Sequence, residues 1–571
     1  MGLGQFYGQQ LAWSGCQDFV VAEYQEGPFA SSRVQCARLT VPLDYQNTGP
    51  GAPTVTLGVL RAPAARPDQR IGTAVVLPTE DGLGMDLATY VSGNGDEFSN
   101  RFDVVSFDRR GVGASAPAIE CLSAADVDRA RASTTRTRND TEVAAADAET
   151  AEFAAACLRN SAAGSGLDPA EFLAHAGSRE AVQDVEVLRA VLGAPTLSVL
   201  GYGYGARTAL AYATGHPDRV RAMVLDSPRV TSISAAETLA WAQASQAAFD
   251  EFTQWCAAGE TCPLGNDPGA AEAAYRALIT PLLDHPMPVL GNTTATLTFD
   301  EAIQGTVAGL ATTENRTQLA VALKLLANGN PGALHDMADR SWGLLAGEYP
   351  FLAAQSIACI DGTAEPTGEA ADQLAVAVAA AAPFMASTDP ARGLDSVCTT
   401  WPSPAGFTNE PFAAMPTPTL VVGFAGDLYY PFSRTAQLAK DLSAPLLTVR
   451  RTGSGAFLLN GGSCVDIAGA AFLVDPATPA ESVDCPSRTG RPSERPHRKG
   501  RKNSRSSCAY SSGSSNGAKW PPRTGSVTRT TVAVRSSHSR GGRSRSAGNS
   551  ENPDGTSTLR ASWATGIAAF A

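Results

Sequence analysis

The stretch Leu200-Gly201-Tyr202-Gly203-Tyr204-Gly205-Ala206-Arg207 stands between an apolar run that reads as a strand and a helical pattern. Two chemistries use a glycine-rich turn at such a junction. In a nucleophile elbow, G-x-S-x-G, the flanking glycines let the backbone turn sharply and lift a serine hydroxyl above the sheet. Gly201 and Gly205 fill the flanking positions here, but the centre is Gly203, which carries no nucleophile. A dinucleotide phosphate cradle needs G-x-G-x-x-G, and position 206 is alanine, with the third glycine absent. The run Asp81-Gly-Leu-Gly-Met-Asp86 has the acidic and glycine residues of a calcium loop but lacks its remaining ligand spacing, so it reads as a solvated loop. Neither a cofactor nor a metal is expected.

Cysteines narrow the setting. Of eleven, ten lie at 16, 36, 121, 157, 256, 262, 359, 398, 464 and 485, and the last is Cys508. No C-x-x-C occurs, and no Cys–His cluster has zinc spacing. An even number falling into close sequential neighbours suits five disulfides and an oxidising compartment. Spacing leaves the connectivity open, and scattered buried thiols are the alternative. Met1 to Gln10 shows no basic segment followed by an apolar run, and no apolar stretch is long enough to span a membrane.

The net charge of −12 hides a split: from Pro486 onward 13 Arg and 3 Lys face only 3 acidic residues, so the preceding chain is strongly acidic. An acidic body argues against nucleic-acid binding, which needs Lys and Arg for phosphate contacts. The segment 486–571 is rich in Ser, Arg, Gly and Thr without apolar periodicity, a composition that cannot bury enough surface to offset chain entropy. It reads as disordered: either a polycation for anionic polymers or lipids, or translation out of the native frame.

The elements that must position the turn follow from periodicity. Strands are predicted at Thr54–Leu60, Thr73–Leu77, Asp103–Phe107, Leu197–Leu200 and Arg221–Leu225, with helices at Ser178–Leu192 and Ala206–Thr214. Such alternation implies a mostly parallel sheet covered by helices. From about 231 to 405 Ala-rich helical stretches dominate, among them Ala236–Cys256, Gly269–Leu283 and Thr317–Leu326. Strands return at Pro418–Gly423 and Leu446–Arg450, followed by a helix at Val465–Leu473. The expected organisation is an α/β core at 10–230 and 406–485, a helical cap at 231–405 and the tail at 486–571.

Five stretches in order carry a more specific likeness: Cys36-Ala-Arg-Leu-Thr-Val-Pro-Leu-Asp-Tyr45, Arg101-Phe-Asp-Val-Val-Ser-Phe-Asp-Arg-Arg-Gly-Val-Gly113, Leu197–Arg207, Pro217-Asp-Arg-Val-Arg-Ala-Met-Val-Leu-Asp226, and Gly461-Gly-Ser-Cys-Val-Asp466. Together they make the chain resemble the actinobacterial tripeptidyl-aminopeptidase-like serine hydrolases over residues 10 to 485. The resemblance implies an α/β-hydrolase fold with an inserted helical cap. It also implies a secreted or envelope-attached exopeptidase with a Ser-His-Asp triad, in which the base takes the serine proton and the acid holds the base.

Carried over by position, only the acid matches: Asp427, in Gly426-Asp427-Leu-Tyr-Tyr-Pro431. The nucleophile position is Gly203. The base position falls in Thr452-Gly453-Ser454-Gly455-Ala456-Phe457, at Ser454 or, with a shifted gap, Gly455. The histidines are at 175, 216, 285, 335, 497 and 538, none in this loop. Where the family has glycines after a strand to admit the oxyanion, this chain has Leu77-Pro78-Thr79-Glu80-Asp81-Gly82. Thr79 and Glu80 replace the glycines, and carboxylates there oppose the developing negative charge. Three losses in separate loops predict a chain that does not run the triad reaction, with Asp427 kept for structure. A peptide or protein partner in the old cleft is the expected use. The alternatives are a serine-type hydrolase wired by another arrangement, and a degraded gene product with no selected role.

Overall fold

The computed structural model describes residues 2–486 except 80–81, 133–138, 232–233, 290–294, 342–349, 363–365, 388–396, 402–411, 413–414 and 478–481. The described residues fall in one compact unit. Glu80 and Asp81 of the oxyanion loop and the basic segment beyond 486 therefore lie outside the described residues.

Nine strands build the main sheet: β1 (Gln35–Pro42), β2 (Thr54–Ala62), β3 (Gly72–Leu77), β4 (Phe102–Phe107), β5 (Leu197–Tyr202), β6 (Val220–Asp226), β7 (Thr419–Gly426), β8 (Leu446–Thr452) and β9 (Val483–Cys485). Their spatial order is β1-β2-β4-β3-β5-β6-β7-β8-β9. β2 pairs antiparallel with both β1 and β4, and every later neighbour is parallel. Strands covered by helices on both faces are apolar throughout rather than alternating. This is why Thr73–Leu77 and Leu197–Leu200 were legible as short, mostly apolar runs. β1, which no periodicity singled out, pairs with β2 from Gln35 opposite Arg61 to Pro42 opposite Thr54. The expected α/β-hydrolase fold is the one observed.

Two buried clusters lie on the sheet, one including Val75, Val105, Val185 and Leu210, the other Val76, Leu200, Val224 and Phe457. A third belongs to the helical insertion, where Trp241, Phe249, Tyr275, Phe299, Leu323 and Phe384 close on one another, with Phe249 and Phe384 stacked at 4.4 Å. The stretch 231–405 is not all of one kind. Its helix Pro350–Asp361 places Leu352, Ile357 and Ile360 in the first sheet cluster. A second helical excursion, Ala124–Arg131 and Asp140–Asn160, follows β4, and Arg131 reaches the insertion through ion pairs to Glu301 (2.8 Å) and to Asp339.

All ten cysteines before Pro486 pair with their sequential neighbours: Cys16–Cys36, Cys121–Cys157, Cys256–Cys262, Cys359–Cys398 and Cys464–Cys485. The Asp108-Arg-Arg-Gly motif after β4 is a structural fastener. Asp108 accepts the amides of Met85 and Ala114, each at 2.9 Å. Arg110, buried, pairs with buried Asp184 at 2.8 Å and donates to the carbonyls of Pro42, Leu43 and His175. The solvated-loop reading of Asp81–Asp86 needs correction at its end. Asp86 lies in the first turn of the helix Gly84–Gly93 and accepts from Tyr24 (2.6 Å) and Gln25 (2.9 Å), because the amino-terminal segment packs over it. Among the described residues no helix is long and apolar enough to cross a membrane.

Candidate functional site

The elbow is present in backbone and vacant in chemistry. β5 enters a turn and leaves as the helix Gly205–Gly215. A Cβ on Gly201 would come within 2.8 Å of the Ala206 Cα, and one on Gly205 within 2.4 Å of the Leu77 carbonyl oxygen. Both glycines are therefore required by close approach. Gly203 between them has φ +50°, the left-handed conformation an elbow imposes on its central residue. Its amide donates to the Asp226 carbonyl at 3.0 Å, and its own carbonyl accepts the Arg229 amide at 2.9 Å. Gly203 is held at both its amide and its carbonyl, but no side chain projects from it.

The space above Gly203 is taken. A Cβ there would meet the Tyr430 hydroxyl at 2.5 Å, its Cζ at 2.8 Å and the Thr79 methyl at 3.1 Å. Thr79 thus stands at the elbow, where the oxyanion loop was expected, with its carbonyl accepting the Gly82 amide at 3.1 Å.

Asp427 lies just past β7, nearly inaccessible. Its Oδ1 accepts the amides of Tyr429 (3.1 Å) and Tyr430 (3.0 Å), and its Oδ2 accepts the Ser227 hydroxyl (2.7 Å). Ser454, from the loop after β8, lies close enough to this carboxyl for its hydroxyl to favour the ionised form. The acid and base positions read from the sequence are therefore brought together, with a hydroxyl where an imidazole would be required. Burial pushes Asp427 up to about 7; the Tyr430 amide and the Ser227 and Ser454 hydroxyls oppose this, and the Asp226 carboxyl adds to it.

Asp226, at the end of β6, was not singled out in the sequence. Its carboxyl accepts the amides of Ala456 (3.0 Å) and Phe457 (2.5 Å), so it fixes the backbone of the base loop. Burial raises it, too, to about 7. Beneath the elbow lies a second network that sequence reasoning missed. Asp361 accepts the hydroxyls of Tyr204 and Ser178, each at 2.5 Å, and Arg207 donates to Tyr204 at 2.9 Å. Asp361 and Ser178 come from distant parts of the chain, so no local pattern signals the cluster.

His175, His216 and His335 have partners of their own. His175 Nδ1 lies 3.1 Å from Glu180, and the His216 ring sits tilted against Tyr212, 5.0 Å between centroids. His335 approaches Asp336 and Asp339 closely enough to share an ion, yet the Arg131 guanidinium already supplies positive charge to Asp339 and Glu301. That cluster reads as an ion-pair network. Beside the elbow is a cavity of 140 Å³ lined by Arg229, Glu237, Trp241, Tyr429, Tyr430 and Arg434 among others.

Comparison with known proteins agrees with this fold. Residues 82–313 match the family model described as alpha/beta hydrolase fold, and residues 382–485 match that described as TAP-like protein. The chain is 32% identical over 474 residues to the serine protease Hip1 of Mycobacterium tuberculosis, covering 79% of this chain and 87% of that protein. It is 31% identical over 493 residues to carboxylesterase B of the same organism, covering 83% and 90%. A third relative, the tripeptidyl aminopeptidase of Streptomyces lividans, is 31% identical over 199 residues, 34% of this chain and 35% of that protein.

Proposed function

The chain belongs to the α/β-hydrolase family, in its TAP-like branch, and on that premise we propose that it is a non-catalytic member whose cleft serves binding. The observation that carries the reading is the occupancy of the triad positions. Gly203 has the elbow's backbone and no side chain, while Ser454, at the base position, offers the Asp427 carboxyl a hydroxyl and no imidazole. A serine hydroxyl beside Asp427 has no basic lone pair to accept a nucleophile's proton. Loss of the nucleophile or base from such a triad costs on the order of a million-fold in kcat. The residual rate is normally the work of an intact oxyanion site and substrate binding, and here Thr79 stands where the family has glycine, its methyl 3.1 Å from where a Cβ on Gly203 would lie.

The cavity beside Tyr430 offers a mixed surface of indole, phenol, guanidinium and carboxylate, suited to a peptide segment of a partner. The five disulfides support placement outside the cytoplasm, where thiols oxidise and stay paired.

Fluorophosphonate labelling and aminopeptidase assays of the unmodified chain test the reading. Labelling and turnover at the level of an inert protein are expected, for the Gly203→Ser variant as well, because its hydroxyl has no base. Turnover that survives repurification and is abolished by one substitution in the cleft would show a catalytic arrangement of another kind.

A further inference from the structure

Gly203 and Tyr430 are brought together by two loops far apart in the chain, and the contact is closer than the disappearance of a serine alone requires. Removing a side chain from a turn leaves a hollow, which water or a neighbouring group fills. Here the neighbour is a rigid aromatic ring. The Tyr430 hydroxyl and Cζ stand 2.5 and 2.8 Å from the point where a Cβ at position 203 would be, so a side chain there requires the phenol to move. Thr79 closes the same volume from the oxyanion side at 3.1 Å.

The ring is held from its own backbone. Asp427 Oδ1 takes the amides of both Tyr429 and Tyr430, which fixes the turn, and Pro431 leads into the helix Phe432–Asp441. Tyr430 also lines the 140 Å³ cavity, of which Gly203 is not a wall. The phenol thus lies between the elbow and the space a ligand could occupy.

We propose that Tyr430 is a plug in the nucleophile position: its phenol fills the volume that any side chain at 203 would need, and Asp427 serves as the positioning residue that holds it there. The inference rests on the proposed loss of the nucleophile and extends it. The site is not an enzyme lacking one group; it has been rebuilt so that restoring the group is not enough. It also gives the retained acid a purpose apart from an imidazole.

A double-mutant cycle tests the contact without using turnover. Thermal melts are recorded for the full chain, for Gly203→Ala, for Tyr430→Ala and for the pair. The strain of an alanine at φ +50° is common to both backgrounds and cancels. With Tyr430 present, Gly203→Ala is expected to lower Tm by roughly 2–4 °C more than it does with Tyr430 removed. Equal decrements in the two backgrounds overturn the proposal. Should Tyr430→Ala fail to fold, Tyr430→Leu, which loses the ring and hydroxyl but keeps apolar bulk, enters the same cycle.

A second measurement reads access directly. Gly203→Cys is alkylated with iodoacetamide under native conditions, with Tyr430 intact and with Tyr430→Ala or Tyr430→Leu. Alkylation is expected to be at least about tenfold faster once the ring is gone, because reaction no longer waits for a local opening; equal rates overturn the plug. Turnover by the unmodified chain would overturn the proposed function, whereas these two results bear on the plug alone.

Discussion

A carboxylate that orients an imidazole must remain ionised beside it, and Asp427 sits in surroundings that favour its proton. Burial and the repulsion of a second buried carboxyl, Asp226, outweigh the two amides and the Ser227 hydroxyl it accepts, which favour the ionised form. With its titration moved up to about 7, the folded protein binds this proton more tightly than the unfolded chain, where an aspartate titrates near 4. The stabilisation from the protonated form is therefore full below about pH 4 and is lost as pH rises through about 7. Asn fits the site: its carbonyl can take the Tyr429 and Tyr430 amides, and its NH2 can donate to Ser227 or Ser454. Asp427→Asn should flatten the stability–pH curve between pH 4 and 7. At pH 8 it should leave the variant more stable than the parent by on the order of 2 kcal/mol in urea melts. Asp226, likewise raised to about 7, should keep a residual slope in the same direction. A variant that is less stable than the parent at pH 8 would mean that Asp427 works as an ionised group.

Elements explain which parts of this molecule could be read in advance. Short buried strands such as β3 and β5 declare themselves by mostly apolar runs, and the Gly201–Gly205 turn by glycines that close approach requires. The acid and base positions came from the family resemblance, and the loops after the adjacent parallel strands β7 and β8 carry Asp427 and Ser454. What escaped depends on contacts that sequence spacing does not encode. β9 is three residues long and gains its register from β8 and from the Cys464–Cys485 bridge. The helix Pro350–Asp361 resembles its Ala-rich neighbours, yet Asp361 locks it beneath the elbow through Ser178 and Tyr204. The Arg-Arg of the Asp108 turn could be quoted as a motif but not explained until Arg110 was seen to join β1, β4 and the helix Ser178–Val191 through Pro42, Leu43 and Asp184. That junction carries its own prediction. Asp184→Ala leaves a guanidinium buried without its counter-charge and should cost about 3–5 kcal/mol in denaturant melts. Asp184→Ala combined with Arg110→Met should recover part of the loss. No recovery would mean that the carbonyl contacts of Arg110, rather than the ion pair, hold the junction.

At the scale of the whole molecule, the acidic body has a covalent frame that closes at Cys485. The last described strand pairs with β8, and its terminal residue is bridged to Cys464 at the start of the helix Ser463–Val474. Every cysteine up to that point is paired, and the eleventh, Cys508, stands in the basic segment whose composition supports no core. Two measurements follow from one argument. Non-reducing peptide mapping of protein made in an oxidising compartment should recover the five neighbouring pairs and a single alkylatable thiol at Cys508. A chain ending after Pro486 should retain the five pairs, show no alkylatable thiol, and melt within ~1 °C of the full chain. Opening the last bridge with Cys464→Ala and Cys485→Ala should, in contrast, remove roughly 3 kcal/mol, the chain-entropy value for a loop of this span. A clear drop in Tm on truncation would show that residues beyond 486 are part of the folded body, and scrambled pairs or ten free thiols would remove the ground for placing it outside the cytoplasm.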